Sequence, residues 1–188
     1  MLELIVCMEA VKRTGEQSVG SVVSQDELIL RRADWKRNGR RVVFASGSFD
    51  LLHPGHVRLL EQARSYGDIV VVGIEAGVNA SAAHLPKTQA ARRAVTPPAE
   101  RAEIVAALAA VDFVVELAPG SLPAYAARLA PDVFVQGGDP ASGRAALDQN
   151  AGRRADEPAS RDGKLVLIPL EPGHSTARLI ERIKNLDA

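Results

Sequence analysis

The chain has 188 residues, the usual size of one domain of about 100 to 200 residues, so one well-buried core is expected rather than two. Its 23 basic and 23 acidic residues cancel, which argues against nucleic acid or an anionic membrane as partner and requires any anion site to be built locally. Cys7 is the single cysteine, which excludes an internal disulfide and a cysteine-cluster metal site and suits a cytoplasmic protein. No run approaches the roughly 18 uninterrupted apolar residues of a membrane span.

In chain order, residues 1–23 are expected to form an N-terminal arm and residues 24–188 the folded domain. Leu2 to Met8 is apolar but interrupted by Glu3, and it lacks the basic leader and cleavage site of a signal peptide. Ser24-Gln-Asp-Glu27 has the spacing of a capping box and predicts a helix through Trp35 that stops at Asn38-Gly39. Arg41 to Ala45 is β-branched and aromatic enough for a buried parallel strand, and Val57 to Tyr66 has the period of an amphipathic helix. Ile69 to Ile74 is continuously apolar, so both faces of that strand must be covered.

Glu100 to Ala110, entered through Pro97-Pro98, reads as a helix, Asp112 to Glu116 as a strand, Leu122 to Leu129 as a helix and Asp132 to Val135 as a strand. Lys164 to Pro169 and Ser175 to Lys184 form the last strand and helix. This alternation predicts an α/β fold, a Rossmann-like doubly wound parallel sheet, with ligands at the carboxyl ends of the strands where strand order reverses. The connections Ala76 to Thr96 and Asp139 to Gly163 are long enough to close over a ligand or to be disordered.

Three motifs fall at the expected carboxyl edge. In Gly47-Ser-Phe-Asp-Leu-Leu-His53-Pro-Gly-His56, two histidines three residues apart stand where a strand turns into a helix, after the polar Ser46-Gly47-Ser48. A helix opening there aims free N–H groups and its positive dipole end at a phosphate. Two imidazole N–H groups suit the charge that moves onto an α-phosphate in nucleotidyl transfer. His84 and His174 lack carboxylates at a ligand spacing, so no protein-bound metal is expected. Gln136-Gly137-Gly138-Asp139 lets backbone approach a ligand closely. In Gly173-His174-Ser175-Thr176, Ser175 or Thr176 is a natural helix N-cap, and hydroxyls with free amides suit β- and γ-phosphates.

Taken together, these motifs resemble the cytidylyltransferase-like nucleotidyltransferases that carry a His-x-Gly-His signature. Within them the chain is most similar, over residues 22–186, to the heptose 1-phosphate adenylyltransferases of ADP-heptose synthesis. Glu100-Arg-Ala-Glu-Ile-Val-Ala-Ala-Leu108 and Val111-Asp-Phe-Val-Val115 support this. The resemblance implies that His53 and His56 stabilise the transition state. It also implies a nucleotide site of Ser46, Gly47, Phe49, Gly55, Gly137, Gly138 and Asp139, with His174, Ser175 and Thr176 on the outer phosphates. Asp50 would lie near the metal or the acceptor phosphate, and Arg93 and Lys87 would contact the acceptor.

Magnesium would arrive with the nucleotide rather than in a protein cage. The implied reaction is ATP plus heptose 1-phosphate to ADP-heptose and pyrophosphate, by a possible homodimer. CTP with glycerol 3-phosphate or a phospho-amino-alcohol, and a nucleotide-binding protein without turnover, are the alternatives. Two departures bear on substrate identity more than on fold. Glu75-Ala76-Gly77 replaces the familiar Asn-Ser-Asp, and Gln136 and Pro140 replace a lysine and a tyrosine around Gly-Gly-Asp.

Overall fold

The computed structural model of the protein describes residues 19–76, 94–138, 163–169 and 171–186. Within them, one sheet is built from β1 (Ser21–Val22), β2 (Val42–Gly47), β3 (Ile69–Glu75), β4 (Phe113–Leu117), β5 (Val133–Gly137) and β6 (Lys164–Ile168). The strand order is β1-β4-β3-β2-β5-β6 and all pairs are parallel. Connecting helices are α1 (Gln25–Arg37), α2 (Pro54–Arg64), α3 (Pro98–Ala106), α4 (Leu122–Leu129) and α5 (Thr176–Lys184).

The β-branched runs of β2 and β3 are fully enclosed, as strands with helices on both faces must be. On one face Leu59, Leu60 and Ala63 of α2 and Ala102 and Val105 of α3 pack on Val43, Ala45, Val70 and Val72. On the other, Leu28 of α1 and Leu122, Tyr125 and Leu129 of α4 pack on Val42, Phe44, Val71 and Phe134. The expected doubly wound α/β arrangement is therefore the observed one.

Three aspartates, each directly before a strand, close the amino edge of the sheet. Asp68, Asp112 and Asp132 accept the backbone N–H groups of Arg41, Val70 and Val42 at 2.8, 2.7 and 2.7 Å. These donors sit at strand entrances where no ladder partner reaches them. Arg64 grips Asp112 through two nitrogens at 2.5 and 2.8 Å, and Arg32 joins Asp132 at 3.0 Å. The opposite, carboxyl edge is left to the motifs.

Local chemistry sets most boundaries where expected: Ser24 accepts the Glu27 amide at 3.2 Å and starts α1. Residues 20–22, within the span expected as an arm, join the sheet. Ser21 and Val22 pair with Phe113 and Val114, and the Gly20 N–H donates to Ala106 O at 2.9 Å. Only glycine fits at position 20, since a Cβ would stand 2.7 Å from Val111 O. Residues 1–18, Cys7 among them, lie outside the described residues, as do 77–93 and 139–162 of the two long connections. The helix expected to reach Ala110 stops at Ala106, because Leu108 and Val111 take turn hydrogen bonds that lead into β4.

Tyr125 gives a stability test of the core. Its ring is 2% exposed and lies 5.8 Å from Phe44, yet its hydroxyl is enclosed without a hydrogen-bond partner, and burial raises its pKa. Removing an unpaired buried hydroxyl relieves a desolvation cost of about 1 kcal/mol. Tyr125→Phe is therefore expected to leave stability unchanged or to raise it by up to about 1 kcal/mol. A loss of that size in urea unfolding would contradict the unpaired geometry.

Candidate active site

The chain runs from β2 to β3 to β4 in one direction and from β5 to β6 in the other, so a crevice opens between the carboxyl ends of β2 and β5. Residues Ser48 to His56 occupy this edge. Phe49 and Leu51 both adopt the left-handed conformation at φ +46°, which side-chain-bearing residues reach at a cost of about 1 to 3 kcal/mol each. Such backbone persists only where its surroundings hold it. Here Asp50 lies between them, 1% exposed, with its two carboxylate oxygens accepting the Val95 and Thr96 amides at 2.8 and 3.1 Å. The Thr176 hydroxyl donates to Asp50 O at 2.9 Å.

Arg101 completes this clasp. It stands on the buried stripe of α3 with Ala102, Val105 and Ala106. Its guanidinium donates to Ser48 O, to Thr96 O at 3.0 Å and to Glu75 O at 3.3 Å. Burial lowers its pKa, and the nearby Asp50 charge works the other way. One cation thus joins the ends of β2 and β3 to the entrance of α3.

The histidine pair follows directly. His53 is the extended N-cap of α2 at φ −140° and ψ 166°, Pro54 takes the first turn, and the His56 N–H donates to His53 O at 2.9 Å. The two imidazoles stack with centroids 3.8 Å apart and planes at 17°. The His174 ring lies 6.5 Å from His53, and Phe49 supports His56 at 5.3 Å. Gly55 is the space that permits the stack, because a Cβ there would meet Cε1 and Nδ1 of His53 at 3.0 Å.

Both imidazoles are neutral at pH 7. Burial lowers the His53 pKa, with repulsion from His174 adding to it. His56 is lowered to about 4 by burial and then by His53, against a smaller opposing pull from Asp50. Each Nδ1 is enclosed without a partner, so the donor role falls to the Nε2 N–H. Two neutral donors that need no reorganisation suit developing negative charge.

Beside them, Ser175 is the N-cap of α5, accepting the Arg178 amide at 3.2 Å. Because the Thr176 hydroxyl hydrogen points at Asp50 O, Ser175 is the hydroxyl of this pair left free to donate. Glu171 pairs with Arg58 of α2, while its carbonyl accepts the His174 amide at 3.2 Å, which ties the turn before α5 to α2. Ser46 and Gly47 are half-buried at the end of β2. Gly137 ends β5, and the Gly138 N–H donates to Ile168 O at 3.0 Å.

The structure thus brings the first and third motifs together and sets the glycines of the second on the adjoining strand. Asp139, Lys87, Arg93 and His84 lie outside the described residues. Asp50, expected beside a metal or acceptor phosphate, has its carboxylate enclosed and engaged by the Val95 and Thr96 amides. Among the described residues, no group of three or more His, Cys, Asp or Glu is arranged to hold a metal. Arg101 escaped the sequence reading, although a lone arginine on an otherwise apolar helical stripe was its signal.

A parallel sheet with a histidine pair at its switch point and a capped helix end alongside is an arrangement suited to holding phosphate groups. Residues 44–182 match the cytidylyltransferase-like family model, and the chain belongs to that family. The bifunctional protein HldE of Rhodopseudomonas palustris (strain BisB5) is 37% identical over 161 residues, covering 86% of this chain and 30% of that protein. The bifunctional protein HldE of Acidiphilium cryptum (strain JF-5) is 39% identical over 178 residues, covering 95% and 34%. The chain therefore spans about a third of the length of these curated relatives. The crystal structure of a lipopolysaccharide core biosynthesis protein from Thermoplasma volcanium GSS1 shares the fold, with a TM-score of 0.52 at 20% identity, covering 71% of this chain and 98% of that one. No helix among the described residues is long and apolar enough to cross a membrane.

Proposed function

We propose that the protein transfers AMP from MgATP to heptose 1-phosphate, forming ADP-heptose and releasing pyrophosphate in the cytoplasm. The observation that carries this reading is the stacked, neutral His53–His56 pair at the sheet's switch point. Similarity to the HldE proteins supports the choice of nucleotide and acceptor. The acceptor phosphate oxygen is already ionised at neutral pH, so it attacks the α-phosphorus in line without a side-chain base. As that P–O bond forms, the bond to pyrophosphate breaks. His53 and His56 donate N–H groups to the oxygens gaining charge, and catalysis is positioning plus electrostatics.

The Ser175 hydroxyl, His174 and the first amides of α5 hold the outer phosphates. Gly55, Gly137 and Gly138 allow close approach, with Ser46, Gly47, Phe49 and Asp139 completing the nucleotide site, and Arg93 and Lys87 pair the acceptor phosphate. Asp50 positions the loop rather than touching substrate. Magnesium enters as part of the triphosphate substrate, and the active form is a homodimer, which light scattering tests. The deciding experiment is a pyrophosphate-release assay crossing ATP and CTP with heptose 1-phosphate, glycerol 3-phosphate and phosphocholine. Release with ATP and heptose 1-phosphate is expected; release only with CTP, or with no pair, overturns the reading.

Replacing Ser175 and Thr176 together by alanine is expected to weaken ATP binding at least tenfold while AMP binding changes by less than threefold, since AMP carries no outer phosphates. Calorimetric titration with both nucleotides reads the difference. Equal weakening would reduce the pair to a helix cap, worth about 1 kcal/mol of stability.

A further inference from the structure

The two helices that frame the site are held with unequal firmness. α2, which opens at the histidine pair, buries Leu59, Leu60 and Ala63 against the sheet. α5 buries no residue completely, and its most enclosed apolar side chains, Leu179 and Ile180, are only partly covered. Apolar burial therefore fixes α2 more tightly than α5, and the place of α5 depends on polar links at its start.

Among the described residues, two side-chain links join that start to the rest of the site. The Thr176 hydroxyl donates to Asp50 O in the loop after β2, and Arg58 of α2 pairs with Glu171 in the turn before α5. The His174 N–H closes this turn by donating to Glu171 O at 3.2 Å, so the residue that Arg58 holds also sets where His174 and Ser175 begin. Glu171 lies over the histidine motif as well. A Cβ on Gly55 would meet Glu171 Cβ at 3.5 Å on one side and the His53 ring at 3.0 Å on the other. One short turn thus connects the first turn of α2 to the cap of α5, with the His53 and His174 rings 6.5 Å apart across it.

In the reading above, a nucleoside triphosphate spans both helices, its α-phosphate at the histidines and its outer phosphates at α5. A linked ligand gains from two half-sites only when they stand at the ligand's own spacing, and a small misplacement at the reacting centre lowers the rate. AMP and pyrophosphate each occupy one half-site and are indifferent to that spacing. We propose that Arg58 and Glu171 are a positioning pair that sets the distance between the α-phosphate site and the outer-phosphate site, neither of them touching substrate. The proposal deepens the reading above and rests on it for the place of the triphosphate. Pairing also cancels the Glu171 charge, which would otherwise repel an anion bound beside it.

The test compares the full chain with Glu171→Ala, Arg58→Lys and the double variant Arg58→Ala with Glu171→Ala. Calorimetry gives dissociation constants for MgATP, AMP and inorganic pyrophosphate. Glu171→Ala is expected to weaken MgATP about tenfold, with AMP and pyrophosphate within twofold of wild type. Melting temperature should stay unchanged, because a partly exposed ion pair adds little to folding stability. The double variant should match Glu171→Ala, as residues that act as one unit do, and Arg58→Lys, which keeps the charge, should stay within threefold of wild type. The proposal is overturned if Glu171→Ala leaves MgATP within twofold of wild type, or if all three ligands weaken equally. Tighter MgATP binding in Glu171→Ala also overturns it, by showing that Arg58 is a phosphate ligand held back by Glu171. Binding is read without turnover, so a wild-type protein that binds MgATP but releases no pyrophosphate overturns the catalytic reading alone. One that binds MgATP no more tightly than AMP overturns both.

Discussion

Alanine at His53 or at His56 is expected to lower kcat by about 100-fold or more, with less than a tenfold change in the dissociation constant for MgATP. Their rings stack at 3.8 Å at the start of α2, and each encloses its Nδ1, which leaves Nε2 as the donor. A neutral N–H aimed at charge that develops only as the P–O bond to pyrophosphate breaks contributes little to ground-state binding, so its loss falls on kcat. Steady-state kinetics with calorimetry separates the two quantities. Near wild-type turnover in both variants would sink the catalytic assignment.

The same geometry sets a pH dependence. His56 titrates near 4 in the folded protein against 6.5 when unfolded. Between those values the unfolded chain binds the proton and the folded chain does not, so stability falls as pH drops from about 6.5 toward 4. His56→Ala removes that share of the acid sensitivity, which thermal melts of both proteins at pH 7 and pH 5 would detect. Turnover should not rise as pH falls through 6.5, because the neutral imidazoles are the donating forms. A rate that climbed through pH 6 would instead indicate an imidazolium as the active form.

Replacing Arg101 by leucine is expected to destabilise the protein by about 3 kcal/mol or more and to lower kcat as well. Three carbonyls, at Ser48, Glu75 and Thr96, lose their shared donor, and Asp50 loses an opposing charge. The left-handed residues Phe49 and Leu51 then lose one of their restraints, so the histidines that follow are less well positioned. Arg101→Lys should recover only part of the loss, because a point ammonium cannot replace a planar fork that reaches three carbonyls. Urea unfolding measures the stability, and a change under about 1 kcal/mol would show that the clasp is incidental.

Much of this was legible before any coordinates. Continuous apolar runs separated by amphipathic segments specify a parallel sheet covered on both faces, since only helices on each side bury such strands. The two-residue β1 was not legible, because so short a segment has no period and is fixed by pairing with β4. The histidine pair was legible because both members lie within four residues of one strand-to-helix turn. The role of Asp50 was not, because its partners Val95, Thr96 and Thr176 are distant in sequence.

The sequence by itself therefore determined the doubly wound fold, the family resemblance and the place of the histidine pair at a strand-to-helix turn, all of which depend on local pattern and short spacing. Only the tertiary structure decided which hydroxyl beside α5 remains free, that Asp50 and Arg101 hold the loop, and that Arg58 and Glu171 join α2 to the turn before α5. Those properties depend on side chains from separate strands and helices meeting at one sheet edge, where burial and partner geometry fix hydrogen bonding and protonation. Sequence neighbours do not carry that information.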